Sequence, residues 1–204
     1  MGEWWSYTLS DFLLFSPRAY FRLLERHNQA LWPAQLLTVG LGFTILGLLA
    51  RPRPWQGRAV SALLAGLWVW VAWAFLWNRY ATINWAVNYL VPLFVLEAGL
   101  LAWIGVVRRR LTFRLRHGAA GGLGVAVFAL ALLIYPVIGP LAGRPWSQAE
   151  IFGIVPDPTV VGTLGLLLLA EGRRRWELMA VPLLWCAISG ATLWAMHSVE
   201  RFPS

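Results

Sequence analysis

The sequence predicts an all-α membrane protein, a bundle of six transmembrane helices preceded by an N-terminal amphipathic helix in the membrane interface. The chain is 59% hydrophobic and only 13% charged, whereas soluble domains are roughly 45 to 50% apolar and about 25% charged. Six stretches also have the length of about 17 to 25 residues that a spanning helix requires. The predicted spans cover residues 31–50, 59–77, 89–107, 119–138, 151–170 and 178–196.

The six spans occupy most of the 204 residues, which indicates a single transmembrane domain over residues 31–198. Residues 1–30 form an N-terminal segment and residues 199–204 a short tail. The fifth span is expected to be broken near residues 156–158, because two prolines on either side of Asp157 cannot continue a regular helix.

Arginine clusters predict the orientation of the chain. All 17 basic residues are arginine, and the formal net charge is +8. Clusters at residues 51–58, 108–116 and 173–175 follow spans one, three and five, and arginine in short loops favours the cytoplasmic side. Both termini are therefore predicted on the outer side. The expected partners of the clusters are anionic lipid headgroups rather than nucleic acid.

The segment before the first span has the signals of a helix start, with Ser16 as N-cap and Pro17 at the first helical position. Its polar face would carry Arg18, Arg22, Glu25, Arg26 and Gln29, and its apolar face Tyr20, Leu23, Leu24, His27 and Leu31. Such a helix is expected to lie flat in the outer interface. His27 on the apolar face is either a ligand or proton carrier, or a histidine that pairs with a neighbouring helix.

Tryptophan is abundant, with 14 residues, and many lie near predicted span ends as an interfacial belt. In span two, Trp70, Trp73 and Trp77 share one helical face. This stripe has two interpretations. It lines an aromatic pocket on a transport path, or it packs in the ordinary way against neighbouring helices or lipid.

Small residues predict where helices approach one another, because lipid supplies no hydrophobic drive between them. The predicted packing face of span four carries Gly118, Gly122, Ala126 and Ala129, and that of span five Thr159, Gly162 and Thr163, with Gly165 nearby.

Glu97 is the charged residue placed well inside an uninterrupted span. It follows Tyr89 by eight residues, so at about 1.5 Å per residue it lies about 12 Å below the outer boundary, near the middle of a core about 30 Å thick. An ionised carboxylate there costs about 2.5 to 3.5 kcal/mol. Glu97 should therefore face the bundle interior, be protonated, or both. It acts in proton relay or cation coordination, or it is a neutral acid bonded to a tryptophan N–H or a backbone carbonyl.

The start of the fifth span is the second candidate for chemistry. Asp157 or Thr159 is expected to cap the helix, and a helix end beside a cavity is also how several transporters form ion and substrate sites. Thr163, one turn further along, joins these two as a candidate for lining a pathway.

The sequence predicts no enzyme, cofactor or metal site. Motifs of hydrolases, zinc proteases and nucleotide-binding loops are missing. Cys186 is the single cysteine, which excludes an intramolecular disulfide or a cysteine cluster. His27 and His197, both predicted on the outer side, are the candidates for a haem or metal, but no histidine spacing supports such a site.

Several motifs carry a family resemblance. They are Trp4-Trp5-Ser6-Tyr7, Ser10-Asp11-Phe12-Leu13, Phe15-Ser16-Pro17-Arg18, Trp32-Pro33-Ala34-Gln35, Phe152-Gly153, Pro156-Asp157-Pro158-Thr159 and Thr163-Leu164-Gly165. Together they resemble a family of small bacterial multi-pass membrane proteins of unknown function, some loosely labelled permeases. The resemblance implies a six-helix inner-membrane protein without an established activity, and it transfers no catalytic residue to this chain.

The resulting functional hypothesis is a small permease or an ion- or proton-coupled transporter of the inner membrane. Its path would involve Glu97, the break at Asp157 and the tryptophan stripe. The alternative is a non-catalytic accessory or scaffold subunit of a larger membrane complex, and a haem- or metal-binding redox protein is the third hypothesis. A homo-oligomer is compatible with each.

Overall fold

The computed structural model describes residues 16–115, 118–171 and 173–201, without the side chains of residues 119–120, 173–175 and 197–201. The side chain of His197, the tail beyond residue 201 and the motifs before Ser16 therefore lie outside the described part. Eight α-helices occur there: α1 Pro17–Ala30, α2 Ala34–Ala50, α3 Gln56–Val71, α4 Val91–Leu101, α5 Ala119–Ala129, α6 Tyr135–Leu141, α7 Pro156–Leu169 and α8 Ala180–Arg201.

Shorter elements extend and connect these helices. Wider π-helical turns at Ala72–Trp77 and Ala102–Val107 prolong α3 and α4, and a third at Leu130–Ile134 joins α5 to α6. Single 3₁₀ segments occupy Tyr80–Thr82, Trp85–Tyr89, Trp146–Gln148 and Arg173–Met179. Two short strands, β1 Thr112–Phe113 and β2 Ala170–Glu171, pair antiparallel.

In the part of the chain that the structure describes, four helical segments are long and apolar enough to cross a membrane: Gln56–Thr82, Trp85–Val107, Gly121–Leu141 and Trp176–Met196. A fifth is counted if α1 and α2, which meet at 87°, are taken as one bent segment. Helices α2, with 17 residues, and α7, with 14, are apolar but shorter. Helices therefore occur at all six predicted positions, and four or five have the length of a span.

Helix α7 is short because both of its ends are fixed by the local sequence. It begins at Pro156, whose locked φ and missing N–H suit the first helical position. It ends at Ala170, where the chain becomes extended and enters β2. The predicted break near residues 156–158 is thus the start of the helix, and residues 151–155 precede it as a turn.

Helix α1 is amphipathic as predicted, and its buried face includes Tyr20, Leu23, Leu24 and His27. The Ser16 hydroxyl accepts a hydrogen bond of 3.3 Å from the Ala19 N–H and caps the helix. The apolar face packs against the bundle, since the Tyr20 ring contacts that of Tyr80 at 5.7 Å between centroids. This face is consequently covered by protein.

Helix α7 lies at the centre of the bundle, with its closest neighbour α5. The two backbones approach at glycines: a Cβ added to Gly165 would lie 2.7 Å from the Phe128 nitrogen, and one added to Gly124 would lie 2.9 Å from the Gly165 oxygen. The predicted face of span five packs closely at Gly162, where an added Cβ would lie 2.7 Å from the Phe152 ring, and the contact with α5 is made by the nearby Gly165. The predicted face of span four is wrong, because Gly122 has no neighbour within 4 Å of an added Cβ. Both sides of α5 carry small residues, so spacing alone did not distinguish them.

Two arginine clusters meet at one end of the bundle, called here the arginine end. It comprises residues 51–58, before and at the start of α3, and residues 108–114, after α4. The strand pair aligns Thr112 with Glu171, so the chain that follows α7 also reaches this end. A Cβ on Gly57 would clash with the Leu111 carbonyl oxygen, which shows how tightly the two segments pack.

The outer faces of the long helices are apolar and exposed. Large side chains there include Val69, Trp73, Trp103, Leu123, Ile134 and Trp194, each at least half exposed. Soluble proteins rarely present contiguous apolar surface of this kind. The bundle thus has an apolar exterior as well as an apolar core.

Candidate functional site

Asp157 is a buried carboxylate in the first turn of α7, at the end of the bundle opposite the arginine end. Only 8% of the residue is exposed, and its Oδ1 accepts a hydrogen bond of 2.6 Å from the indole Nε1 of Trp185 on α8. The positive end of the α7 dipole also favours a negative charge at this position. Two features of the fold therefore support an anionic side chain here.

The capping role predicted for Asp157 or Thr159 is wrong. Val155 is the N-cap of α7, and no side chain makes a capping bond. Thr159 instead closes the preceding turn, since its hydroxyl accepts from the Gly153 N–H at 2.8 Å and donates to the Val155 carbonyl at 2.7 Å. The Asp157 carboxylate accepts a hydrogen bond from the Trp185 indole of α8 and not from the backbone of α7.

A small cavity of about 40 Å³ lies beside Asp157, where α1, α7, α8 and the turn after α3 converge. Its polar lining consists of Tyr20, Tyr80, Asn84, Asp157, Trp185, Ser189 and Thr192. A volume of this size holds a few water molecules, at about 10 to 15 Å³ for each. The carboxylate is thus the charged group of a cavity otherwise lined by hydroxyl, amide and apolar groups.

Sequence reasoning missed most of this lining. Trp185, Ser189 and Thr192 are spaced four and three residues apart along α8, so they form one polar stripe on a helix that is otherwise apolar. That stripe is the signal that points to the cavity. Tyr20 was assigned only to the apolar face of α1, and Tyr80 lies outside the predicted spans.

Glu97 faces the bundle interior, as predicted. It is 0% exposed, and neither carboxylate oxygen has a hydrogen-bond partner among the described residues. The predicted alternative, a neutral acid bonded to a tryptophan N–H, requires a free indole nearby. The indole of Trp68, in the same core, donates instead to Thr163 at 2.9 Å. Glu97 is fully buried and does not line the Asp157 cavity.

An aromatic layer lies at the level of α4 between two indoles. The Phe94 ring contacts Trp185 at 5.0 Å and Trp68 at 4.5 Å between centroids. Each indole donates to a side chain of α7, Trp185 to Asp157 and Trp68 to Thr163. Thr163 in turn donates to the Thr159 carbonyl at 2.8 Å. Three of the candidate residues, all on α7, thus belong to one packed region.

The tryptophan stripe of span two points outward. Trp73 and Trp77 are each 58% exposed, and Trp70 contacts Trp73 at 5.6 Å between ring centroids. The stripe does not line a cavity inside the described part of the bundle. The interior tryptophan of this helix is Trp68, which is fully buried.

His27 pairs with a neighbouring segment. The ring is 1% exposed, its Nε2 lies 3.3 Å from the Ile154 carbonyl oxygen, and its edge meets Phe75 at 5.1 Å. Burial lowers the pKa of His27 from 6.5 to about 4, so the ring is neutral and donates to that carbonyl. Among the described residues no group of three or more His, Cys, Asp or Glu side chains is arranged to hold a metal.

A groove of about 570 Å³ lies on the polar side of α1, at the same end of the bundle as Asp157. Arg18, Arg22 and Arg26 line it from successive turns of α1, and Arg79 lines it from the turn after α3. The same two segments border the Asp157 cavity. The surface at this end is therefore electropositive above a buried carboxylate.

These features define a class: a helical bundle with four or five helices of membrane-spanning length and character, and with buried acids in its interior. The chain belongs to a family of unknown function, DUF6064, whose profile matches residues 17–201. The predicted resemblance to an uncharacterised family is thereby confirmed. No curated protein and no solved structure matches the chain.

Proposed function

We propose that this protein is a small proton-coupled permease of the plasma membrane, with Asp157 as the carboxylate that binds the coupling proton. The observation that carries the proposal is the position of Asp157, a buried acid that faces a small cavity with hydroxyl and amide groups in its lining. Ionisable side chains in such surroundings are expensive, and in membrane bundles they mark ion and proton pathways.

The proposed membrane placement has six spans with both termini on the outer side. It is supported by the exposed apolar exteriors of the long helices, which match lipid better than water. The exposed arginines of residues 51–58 and 108–114 at one end of the bundle further support it, because arginine in short loops favours the cytoplasmic side. The Asp157 cavity and α1 would then lie toward the outer side.

Asp157 has the groups that a reversible proton site needs. The Trp185 indole stabilises the ionised carboxylate by donating a hydrogen bond, and bonds to charged groups are worth about 1.5 to 3 kcal/mol. The low-polarity surroundings favour the neutral acid. A cavity with room for water connects the carboxylate to hydroxyl groups of Ser189 and Thr192.

Glu97 is the second proposed proton-binding residue of the pathway, on the inner side of Asp157. It has no hydrogen-bond partner among the described residues, so it would be held as the neutral acid. Phe94 lies one helical turn before it on α4 and packs between Trp68 and Trp185. A second conformation, in which this aromatic layer opens, is required for exchange between the two acids. A transporter alternates between such states.

Proton flux into proteoliposomes tests the proposal, with a pH-sensitive dye trapped in the lumen. The driving force is an acidic external medium together with a potassium diffusion potential. Asp157→Asn and Glu97→Gln should each abolish the acidification of the lumen that the dye reports. Glu25→Gln is the matched control, because Glu25 lies on the polar side of α1 and bonds to Gln29 and Gln148. Equal flux in wild type, both variants and empty liposomes would reject the permease.

A scaffold subunit is the second candidate, and the buried position of Glu97 is the observation that favours it. A carboxylate without a hydrated cavity has no access for ions in this conformation. The exposed aromatic residues Trp73, Trp77 and Trp103 would then contact partner helices. Purification in mild detergent distinguishes the candidates: stoichiometric co-purification of another membrane protein favours the scaffold, and a stable monomer or homodimer disfavours it.

A further inference from the structure

A basic pocket of about 330 Å³ opens at the arginine end of the bundle. Arg53 and Arg58 line it from the start of α3, and Arg109 and Arg114 line it from the segment after α4. All four side chains are exposed. Topology alone requires positive charge in these loops, but it does not require that charges from two loops converge on one cavity.

The pocket has a closely packed floor. The Gly57 backbone packs directly on the Leu111 carbonyl, and the strand that begins at Thr112 pairs with Glu171. Arg109 adopts φ 52°, a left-handed conformation that non-glycine residues rarely take. The two arginine-bearing segments therefore pack directly against each other.

Two of the four arginines already have partners. Arg114 pairs with Glu171 at 3.6 Å, and the Arg53 guanidinium lies 5.7 Å from the Trp55 ring centroid. Arg58 and Arg109 have no ion-pair partner among the described residues. Like charges around one cavity repel each other, and a bound anion relieves that repulsion.

Gln56 adds a neutral donor to this pocket. It is the first residue of α3, is only 4% exposed, and lines the pocket. Its Nε2 is buried and has no acceptor among the described residues. A buried donor without a partner costs about 1 to 3 kcal/mol. It lies, moreover, at the positive end of a 16-residue helix, where anions are favoured.

We propose that this pocket binds a phosphate group, through Arg58, Arg109 and the Gln56 amide. The guanidinium fork matches pairs of phosphate oxygens, and the amide supplies a further hydrogen bond from the floor. The phosphate belongs either to an anionic phospholipid headgroup or to a small soluble phosphate. The site does not depend on the proposed transport function.

Binding to the full chain in neutral detergent, at constant ionic strength, tests the site with three probes: phosphatidylglycerol, phosphatidylcholine and inorganic phosphate. We expect saturable binding of phosphatidylglycerol. Arg58→Gln and Arg109→Gln should each weaken it about tenfold, as expected for loss of one charged hydrogen bond. Gln56→Leu should weaken it several-fold. Displacement of the lipid by millimolar inorganic phosphate identifies a soluble phosphate as the ligand, and retention against it identifies the headgroup.

The matched control is Arg22→Gln, which removes an arginine from the opposite end of the bundle. Its affinity for phosphatidylglycerol should equal that of wild type. The proposal is overturned if Arg58→Gln and Arg109→Gln bind as wild type does, or if Arg22→Gln weakens binding equally. It is also overturned if phosphatidylcholine binds as tightly as phosphatidylglycerol while inorganic phosphate does not compete. Thermal unfolding midpoints confirm that each variant folds.

Discussion

The Trp185 indole donates a 2.6 Å hydrogen bond to Asp157, and this bond joins α8 to the first turn of α7. It satisfies one oxygen of a buried carboxylate that also borders the Ser189 hydroxyl in a small cavity. The position of Asp157, the lining of the cavity and the packing of Phe94 all depend on this indole.

Trp185→Phe should lower the free energy of unfolding by about 1.5 to 3 kcal/mol, because the buried carboxylate loses a charge-assisted donor. The measurement is the thermal unfolding midpoint in detergent. Trp194→Phe, on the same helix but 62% exposed, should change it little. In a double-mutant cycle with Asp157→Asn, the two effects should be non-additive; additive effects would mean that the bond contributes nothing to stability.

Gly165→Val should destabilise the bundle, by about 1 to 3 kcal/mol or more, because the added side chain overpacks the contact of α7 with α5. An added Cβ alone would lie 2.7 Å from the Phe128 nitrogen. Gly122→Val is the matched control, since nothing lies within 4 Å of a Cβ there. Comparable unfolding midpoints for the two variants would contradict the packing described for these helices.

Glu97→Met should raise the unfolding midpoint. Both carboxylate oxygens are buried without a hydrogen-bond partner among the described residues, and a buried unsatisfied polar group costs about 1 to 3 kcal/mol. Methionine has a similar length and fills the same space without that cost. Glu25→Met, on the polar side of α1, should give no comparable gain. A lower midpoint for Glu97→Met would show that the acid has a stabilising partner.

His27 gives the stability a pH dependence of known sign. Burial lowers the pKa of the folded state from 6.5 to about 4, so between these values the unfolded chain binds a proton that the folded chain does not. This contribution is complete above about pH 6.5 and is lost as the pH falls toward 4. The loss amounts to about 3 kcal/mol, at 1.36 kcal/mol for each pH unit.

Glu150 gives the opposite slope over an overlapping range. Burial raises the pKa of Glu150 from 4.5 to about 7, although Arg144 pairs with it and opposes the shift. Its contribution is present below about pH 4.5 and is lost as the pH rises through 7. Relative to wild type, His27→Gln should therefore make the stability fall more steeply from pH 5 to 7, and Glu150→Gln should make it fall less steeply. Identical profiles for both variants would reject these assignments.

The sequence predicted local structure well where the signal was contained in one helix. Ser16 and Pro17 start α1 as expected, and the 3.6-residue pattern placed Tyr20 and His27 on the buried face. Glu97 also faces the interior, as expected from the free-energy cost of exposing a carboxylate to lipid. The start of α1, its buried face and the inward position of Glu97 depend on residues close in sequence and on the preference of each side chain for polar or apolar surroundings. The sequence specifies both directly.

Contacts between helices were predicted less well, because they depend on rotations that no single helix specifies. Small residues lie on both sides of α5, so the sequence made Gly122 and Gly124 equally good candidates for a helix contact. In the structure, Gly124 faces α7 and Gly122 does not. The local sequence predicts Asp157 as a helix cap, but its hydrogen-bond donor is Trp185, 28 positions later in the chain. In the second predicted span, the spacing of Trp70, Trp73 and Trp77 suggested an aromatic pocket, but the buried tryptophan is Trp68.

The central claim is that Asp157 binds the coupling proton, and proton flux through Asp157 variants in proteoliposomes tests it most directly. Wild-type protein should acidify the lumen, Asp157→Asn should not, and Asp157→Glu should restore part of the flux because it keeps a carboxylate at the cavity. Undiminished flux in Asp157→Asn, with protein levels and unfolding midpoint matched to wild type, would contradict the claim.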